Sequence, residues 1–332
     1  MKMLTVSALL LASLFALSAC TQNFHTASTE IPAGDEIPSY SEVEESGVTD
    51  AETSTDMEAQ DTLIQETINY TDDGRVNLEI YRHSNPEEPL PAIISLPGGA
   101  FGFLVGTDQE PTAMTFYERG FQAFVLNYSV GRYSAFPAPL DEVSWAIWQI
   151  RSHAEEWNVD PDRVIVMGFS AGVSVAGMSA TQWNTPGLYE RVGAPDAESI
   201  RPDAAVMGYG ACDTSGTIVD NPDVVNPGVW GAIVTDRTPE LDFLYYVDEN
   251  TAPMFIWQPE HDPYVPKENQ TMLADALEEA GVEYELHMFK DGYHGMSVGY
   301  NAPRRDLANS PQPDADRWVS LCIDWLNRLF GQ

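Results

Sequence analysis

Positive charge is scarce in this 332-residue chain: 16 Lys and Arg face 51 Asp and Glu, a formal net charge of −35. Phosphate backbones and anionic lipid surfaces repel such a polyanion, which excludes nucleic acid as a partner. Cysteine is scarcer still. Three residues, Cys20, Cys212 and Cys322, are too few for a disulfide scaffold or a structural zinc cluster. The apolar run Leu4–Ala16 is too short for a membrane span. Apolar material is nevertheless ample at 43%, enough for one large domain or two ordinary ones.

The charge is unevenly spread. The first twenty residues hold no acid and one base, Lys2, ahead of the apolar run and Leu17-Ser18-Ala19-Cys20. This is the pattern of a secretory signal with a small-residue cleavage site. Leu-Ser-Ala-Cys resembles the lipobox of bacterial lipoproteins. The resemblance implies that Cys20 is lipidated and tethers the chain to a lipid bilayer, at the outer face of a bacterial cytoplasmic membrane. From Thr21 to Gly74 there is no Lys or Arg but fourteen acids. Low hydrophobicity with unbalanced charge cannot bury enough surface to offset chain entropy. The chain therefore divides into a signal over 1–19, an acidic linker over 20–66 and one domain over 67–332. From Arg75 onward 37 acids face 15 bases, still a net −22.

Within the domain, Ile68–Tyr70 and Val76–Tyr81 flank Asp72-Asp73-Gly74 as a hairpin. Ala92–Leu96, Phe121–Tyr128, Val164–Met167, Ala204–Tyr209, Met254–Gln258 and Tyr284–Phe289 are short apolar runs of the buried-strand type. Helices are expected over Thr112–Arg119, with Pro111 in the first turn, and near Lys267–Ala280 and Asp314–Phe330. A further helix, with Leu140, Val143, Ile147, Ile150, Ala154 and Trp157 on one face, should run for about eighteen residues. Strand and helix alternating is the grammar of a parallel sheet covered on both faces.

Gly168-Phe169-Ser170-Ala171-Gly172 follows one such strand and precedes a small-residue helix, Val173–Ala180. A serine on that sharp turn is a nucleophile elbow, with Ser170 exposed at the head of the sheet. Its base should follow it in the chain. His294 lies in the glycine-flanked stretch Asp291–Met296, after the last strand. The orienting acid should follow the preceding strand, where Asp262 stands, with Glu260 as rival. Backbone donors for an oxyanion are expected from Ala171 and from the loop Leu96–Phe101, through Gly98 and Gly99. Which amide of Gly98, Gly99 and Ala100 donates is left open.

These segments, in this order from about Val76 to Phe330, resemble the α/β-hydrolase fold. They are closest to the esterase/lipase branch that includes acetyl xylan esterases and related carbohydrate-ester hydrolases. Leu96-Pro97-Gly98-Gly99-Ala100-Phe101, Asp160-Pro161-Asp162-Arg163, Asp262-Pro263-Tyr264-Val265-Pro266 and Gly292-Tyr293-His294-Gly295 carry the resemblance with the elbow. Ala100 departs from it by replacing a third glycine. The resemblance implies an α/β fold with a mostly parallel central sheet, helices on both faces and an N-terminal antiparallel hairpin. It implies a serine esterase acting on short-chain, acetyl-type esters of carbohydrates or small alcohols, with no cofactor and no metal. Two other readings stand beside it: a dipeptidyl-peptidase-like hydrolase, and a surface binding module on a hydrolase fold. Phe101, Trp183, Trp230, Tyr245 and Tyr246 are candidates for a sugar-stacking cleft. Cys212 and Cys322 are expected as buried free thiols.

Overall fold

The computed structural model describes residues 61–214, 241–299 and 314–331; the signal, Cys20 and most of the linker lie outside them. Eight strands form one sheet: β1 (Leu63–Asn69), β2 (Asn77–His83), β3 (Leu90–Leu96), β4 (Gln122–Asn127), β5 (Val159–Phe169), β6 (Ala204–Gly208), β7 (Met254–Pro259) and β8 (Tyr284–Phe289). Their order across the sheet is β1-β2-β4-β3-β5-β6-β7-β8. β2 pairs antiparallel with β1 and with β4, and every pairing from β4 to β8 is parallel.

The apolar runs became the centre of this sheet. Every residue of β4, β6 and β7 is buried, as strands must be when helices cover both faces. β1 is different. It begins at Leu63, inside the stretch read as linker up to residue 66, and its side chains are mostly exposed. Main-chain pairing to β2, from Leu63↔His83 to Asn69↔Asn77, holds this edge strand. A polar edge strand has little hydrophobic pattern to betray it.

Five longer helices flank the sheet: α1 (Glu110–Tyr117), α2 (Ala138–Ser152), α3 (Ala171–Gln182), α4 (Glu268–Ala280) and α5 (Trp318–Leu329). The long helix expected to reach Trp157 breaks at His153, and Ala154–Trp157 forms a separate turn. There the His153 ring stacks on Trp157, centroids 4.6 Å apart, and Nδ1 lies 2.8 Å from the Gln149 carbonyl. The His153 amide also donates to that carbonyl, at 3.1 Å, and the backbone leaves the helix at His153 itself, with φ −110° and ψ 16°.

Alternate strand residues feed two cores. On one face Ile94, Val166 and Ile256 pack with Leu140 and Ile147 of α2, Val175 and Met178 of α3, and Leu273 and Leu277 of α4. On the other, Ile93, Ile165 and Phe255 pack with Phe116 of α1 and Trp318 and Trp325 of α5. Cys212 belongs to the first core and Cys322 to the second; both are free and buried. The sheet lies between them. The carboxyl ends of β3, β5, β7 and β8 all lead into loops at one edge, the place where open α/β sheets bind ligands.

Candidate active site

Ser170 sits where β5 hands over to α3, with φ +52° and ψ −118°. A residue with a Cβ holds that conformation only when its surroundings impose it. Space imposes it here. A Cβ on Gly168 would come within 2.3 Å of the Gly172 carbonyl oxygen, and one on Gly172 within 2.0 Å of the Leu96 oxygen. The Ser170 amide donates to Gly208 O at 3.0 Å, fixing the turn to β6. The first amides of α3 are left facing outward beside the hydroxyl.

His294 arrives from the loop after β8. Its Nε2 lies 2.9 Å from Ser170 Oγ, and its Nδ1 lies 2.7 Å from Asp262 Oδ2. The Asp262 side chain has no exposed surface. Its second oxygen accepts the amides of Tyr264 at 2.8 Å and Val265 at 3.0 Å, so the carboxylate is held at both ends. Glu260, the rival acid, lies instead 3.6 Å from the Lys267 ammonium. Ser170, His294 and Asp262 thus form one hydrogen-bonded line, drawn from three loops.

Two tyrosines frame the imidazole. Tyr209, fully buried, meets the ring at a 5.0 Å centroid distance and 63°, and Tyr264 meets it at 5.0 Å and 69°. The Tyr209 hydroxyl accepts the Ser297 amide at 3.0 Å, and burial drives its phenol well above the ordinary range. Neither tyrosine was singled out from the sequence. Tyr209 ends an apolar strand and reads as core, and Tyr264 reads as a turn residue between prolines.

The loop after β3 carries its own constraint. Gly99, Ala100 and Phe101 have successive positive φ values of +127°, +51° and +59°. A Cβ on Gly99 would meet the Phe103 carbonyl oxygen at 2.0 Å, so only glycine fits. Gly98, expected among the oxyanion donors, has its amide committed: it donates to Asp108 Oδ2 at 2.9 Å. The amides of Gly99, Ala100 and Ala171 have no hydrogen-bond acceptor among the described residues. Asp108 was invisible to sequence reasoning, because nothing in Gly106-Thr107-Asp108 marks a buried carboxyl.

The aromatic surface differs from expectation. Phe101 and Trp183 are buried, Trp183 with its indole N–H on the Asn250 carbonyl. Tyr246 is half-buried, Tyr245 is exposed with its hydroxyl on Asp213, and Trp230 lies outside the described residues. The exposed aromatics next to the line of three are Tyr264 and Tyr293, with Phe103 on the loop beside Gly99. Among the described residues no three His, Cys, Asp or Glu side chains are grouped as a metal site.

The BD-FAE family model matches residues 78–277, a span that holds the glycine loop, the elbow and Asp262. The chain belongs to the BD-FAE family of α/β hydrolases. A curated relative is endo-1,4-beta-xylanase B of Butyrivibrio fibrisolvens, 33% identical over 234 residues, 67% of this chain and 35% of that protein. Another is the acetylxylan esterase of Xylanibacter ruminicola, 25% identical over 80% of this chain and 55% of its own length. The chain therefore spans roughly a third to a half of these relatives. Among solved structures, the acetyl ester-xyloside bifunctional hydrolase of Caldicellulosiruptor lactoaceticus superposes with a TM-score of 0.61 at 29% identity. That match covers 77% of this chain and 88% of the other. A carboxylesterase from Lactobacillus plantarum, at 24% identity and a TM-score of 0.68, shares the fold over 80% of this BD-FAE chain and 97% of its own.

Proposed function

We propose that this protein is a serine esterase that removes short acyl groups, acetyl foremost, from carbohydrates or small alcohols. The observation that carries the reading is the line Ser170–His294–Asp262, with hydrogen bonds of 2.9 and 2.7 Å. In the reaction it supports, His294 Nε2 takes the Ser170 proton as Oγ attacks the ester carbonyl. Asp262 holds the Nδ1–H tautomer and balances the imidazolium. The negative oxygen of the tetrahedral intermediate is met by the Ala171 amide and by the loop that carries Gly99. The alcohol leaves with the proton from His294. Water, deprotonated by the same imidazole, then attacks the acyl-enzyme and releases the acid.

The substrate class rests on the relatives that act on xylan and its acetyl esters by name. Tyr264 adds an exposed ring beside His294, and Tyr293, next to His294 in the chain, is exposed as well; a sugar face can pack against such rings. The test is turnover of p-nitrophenyl esters of rising chain length and of acetylated xylo-oligosaccharides, with Ser170→Ala as control. Preference for acetyl over octanoyl esters, release of acetate from the oligosaccharides and loss of all turnover in S170A are expected. Undiminished turnover in S170A would sink the assignment.

A further inference from the structure

Asp108 closes a short 3-10 turn, Gly106–Asp108, between the glycine loop and α1. It is 1% exposed, and no Lys or Arg pairs with it among the described residues. Burial pushes its carboxyl up to about 6; the Gly98 amide, Ser297, His294 and Thr107 each temper that rise. A buried carboxyl without a cation works against stability, so packing alone does not account for it.

Its contacts lead to the site. Oδ2 accepts the Gly98 amide at 2.9 Å, while Oδ1 is buried and makes no hydrogen bond. A Cβ placed on Gly98 would lie 3.2 Å from Oδ2 and 3.0 Å from Ser170 Cβ, so carboxyl and nucleophile flank the same glycine. The turn is fastened on two sides. The Asp108 carbonyl accepts the Ser95 hydroxyl of β3 at 2.6 Å. The Thr107 carbonyl accepts the Ser297 hydroxyl at 3.0 Å, three residues beyond His294.

We propose that Asp108 is a positioning residue for ester cleavage: by accepting the Gly98 amide it locks the loop so that Gly99 and Ala100, not Gly98, present amides to the acyl oxygen. The proposal rests on the reading of Ser170 as nucleophile. A hole for an oxyanion works only if its donors are in place before the charge forms. The run of positive φ from Gly99 to Phe101 is strained for the residues with a Cβ and needs an outside anchor. The Gly98–Asp108 bond anchors its start, together with the Val105 amide on Gly98 O at 3.1 Å. Gly98, with no Cβ, leaves room for both the carboxyl and the nucleophile beside it.

The experiment compares Asp108→Ala and Asp108→Asn in the full chain, with p-nitrophenyl acetate at about pH 8 and a short alkylboronic acid as tetrahedral mimic. In D108A, kcat should fall roughly tenfold to a hundredfold with KM within about twofold, and boronate affinity should fall in proportion, because the hole serves the transition state. In D108N the side-chain oxygen can still accept the Gly98 amide, so most of the turnover and boronate affinity should return. Parental kcat and boronate affinity in D108A would overturn the proposal, as would D108N no better than D108A. Should D108A fail to fold, a hundredfold loss in folded D108N overturns it alone. Full turnover in S170A would instead remove the nucleophile on which the proposal rests, a separate outcome.

Discussion

Tyr264 holds Asp262 and covers His294 at once: its amide donates to Asp262 Oδ1 at 2.8 Å, and its ring meets the imidazole edge-on at 5.0 Å. The two functions separate cleanly, because one belongs to the main chain and the other to the ring. Tyr264→Phe keeps both and should leave kcat and KM near those of the parent. Tyr264→Ala keeps the amide but uncovers the imidazole to water. A drop of roughly threefold to tenfold in kcat/KM is expected in steady-state assays, since water weakens the polar interactions of the site. Equal behaviour of the two variants would mean that the ring has no part in the reaction.

Asp262 and Glu260 stand two residues apart on one loop, and the geometry divides them. Asp262→Asn should lower kcat on the order of a thousandfold or more, because an amide at that position favours the wrong imidazole tautomer. Glu260→Gln loses only a surface contact with Lys267 at 3.6 Å and should fall within a factor of about two of the parent. Reversal of these two results would transfer the orienting role to Glu260.

Two buried carboxyls contribute to the pH dependence of stability in the same direction. Burial pushes Asp108 up to about 6 and Glu142 up to about 7, the latter despite hydrogen bonds from the Ser129 amide and hydroxyl. Their ordinary values are 3.8 and 4.5. Between those limits the folded chain binds protons that the unfolded chain has released. Stability from these groups therefore decreases as pH rises from about 4 to about 7. Asp108→Asn removes one of the two penalties and should raise stability at neutral pH, by up to roughly 3 kcal/mol at 1.36 kcal/mol per unit. Urea unfolding at pH 7.5 and pH 4.5 checks this. A gain that is no larger at the higher pH would argue against a buried, titrating Asp108.

Asp203 plays a part unrelated to chemistry. Its Oδ2 accepts both Arg151 Nη2 at 2.7 Å and the Val164 amide at 2.8 Å, beside the middle of β5. Asp203→Ala leaves a half-buried guanidinium with main-chain carbonyls only and no carboxylate, and should cost about 2 kcal/mol in urea unfolding. Acetate-ester turnover by the folded fraction should stay at the parental rate, since the change lies beside Val164 of β5, six residues before Ser170. A fall in kcat without loss of stability would contradict this.

Cys20 lies outside the described residues, and lipidation there remains a proposal resting on Leu17-Ser18-Ala19-Cys20. In a bacterial host fed an alkynyl fatty acid, the parent should incorporate the label and sediment with membranes, whereas Cys20→Ser should do neither. Label in the Cys20→Ser chain would rule out that attachment site.

Much of the fold was legible because it is written in local pattern. β4, β6 and β7 are uninterrupted apolar runs, and burial on both faces is what such runs require. β1 was cut short because an exposed edge strand is defined by its pairing partner, and its own side chains record little of that. The helix expected to reach Trp157 kept its apolar spacing across the break at His153, so that spacing carries no sign of it.

The same division runs through the candidate site. The elbow was legible in sequence alone, because a serine between two glycines, after an apolar strand and before a small-residue helix, marks that turn, although Leu96 and Gly208 of the neighbouring strands hold its backbone. Tertiary structure decided the rest. Asp262 over Glu260, the loss of the Gly98 amide to Asp108, and Tyr209 and Tyr264 against His294 all depend on contacts across the sheet edge. Ser170 and His294 are 124 residues apart. No periodicity records which oxygen of a loop will face which nitrogen of another. The sheet edge that gathers those loops settles it, because burial there leaves each polar group few partners to choose from.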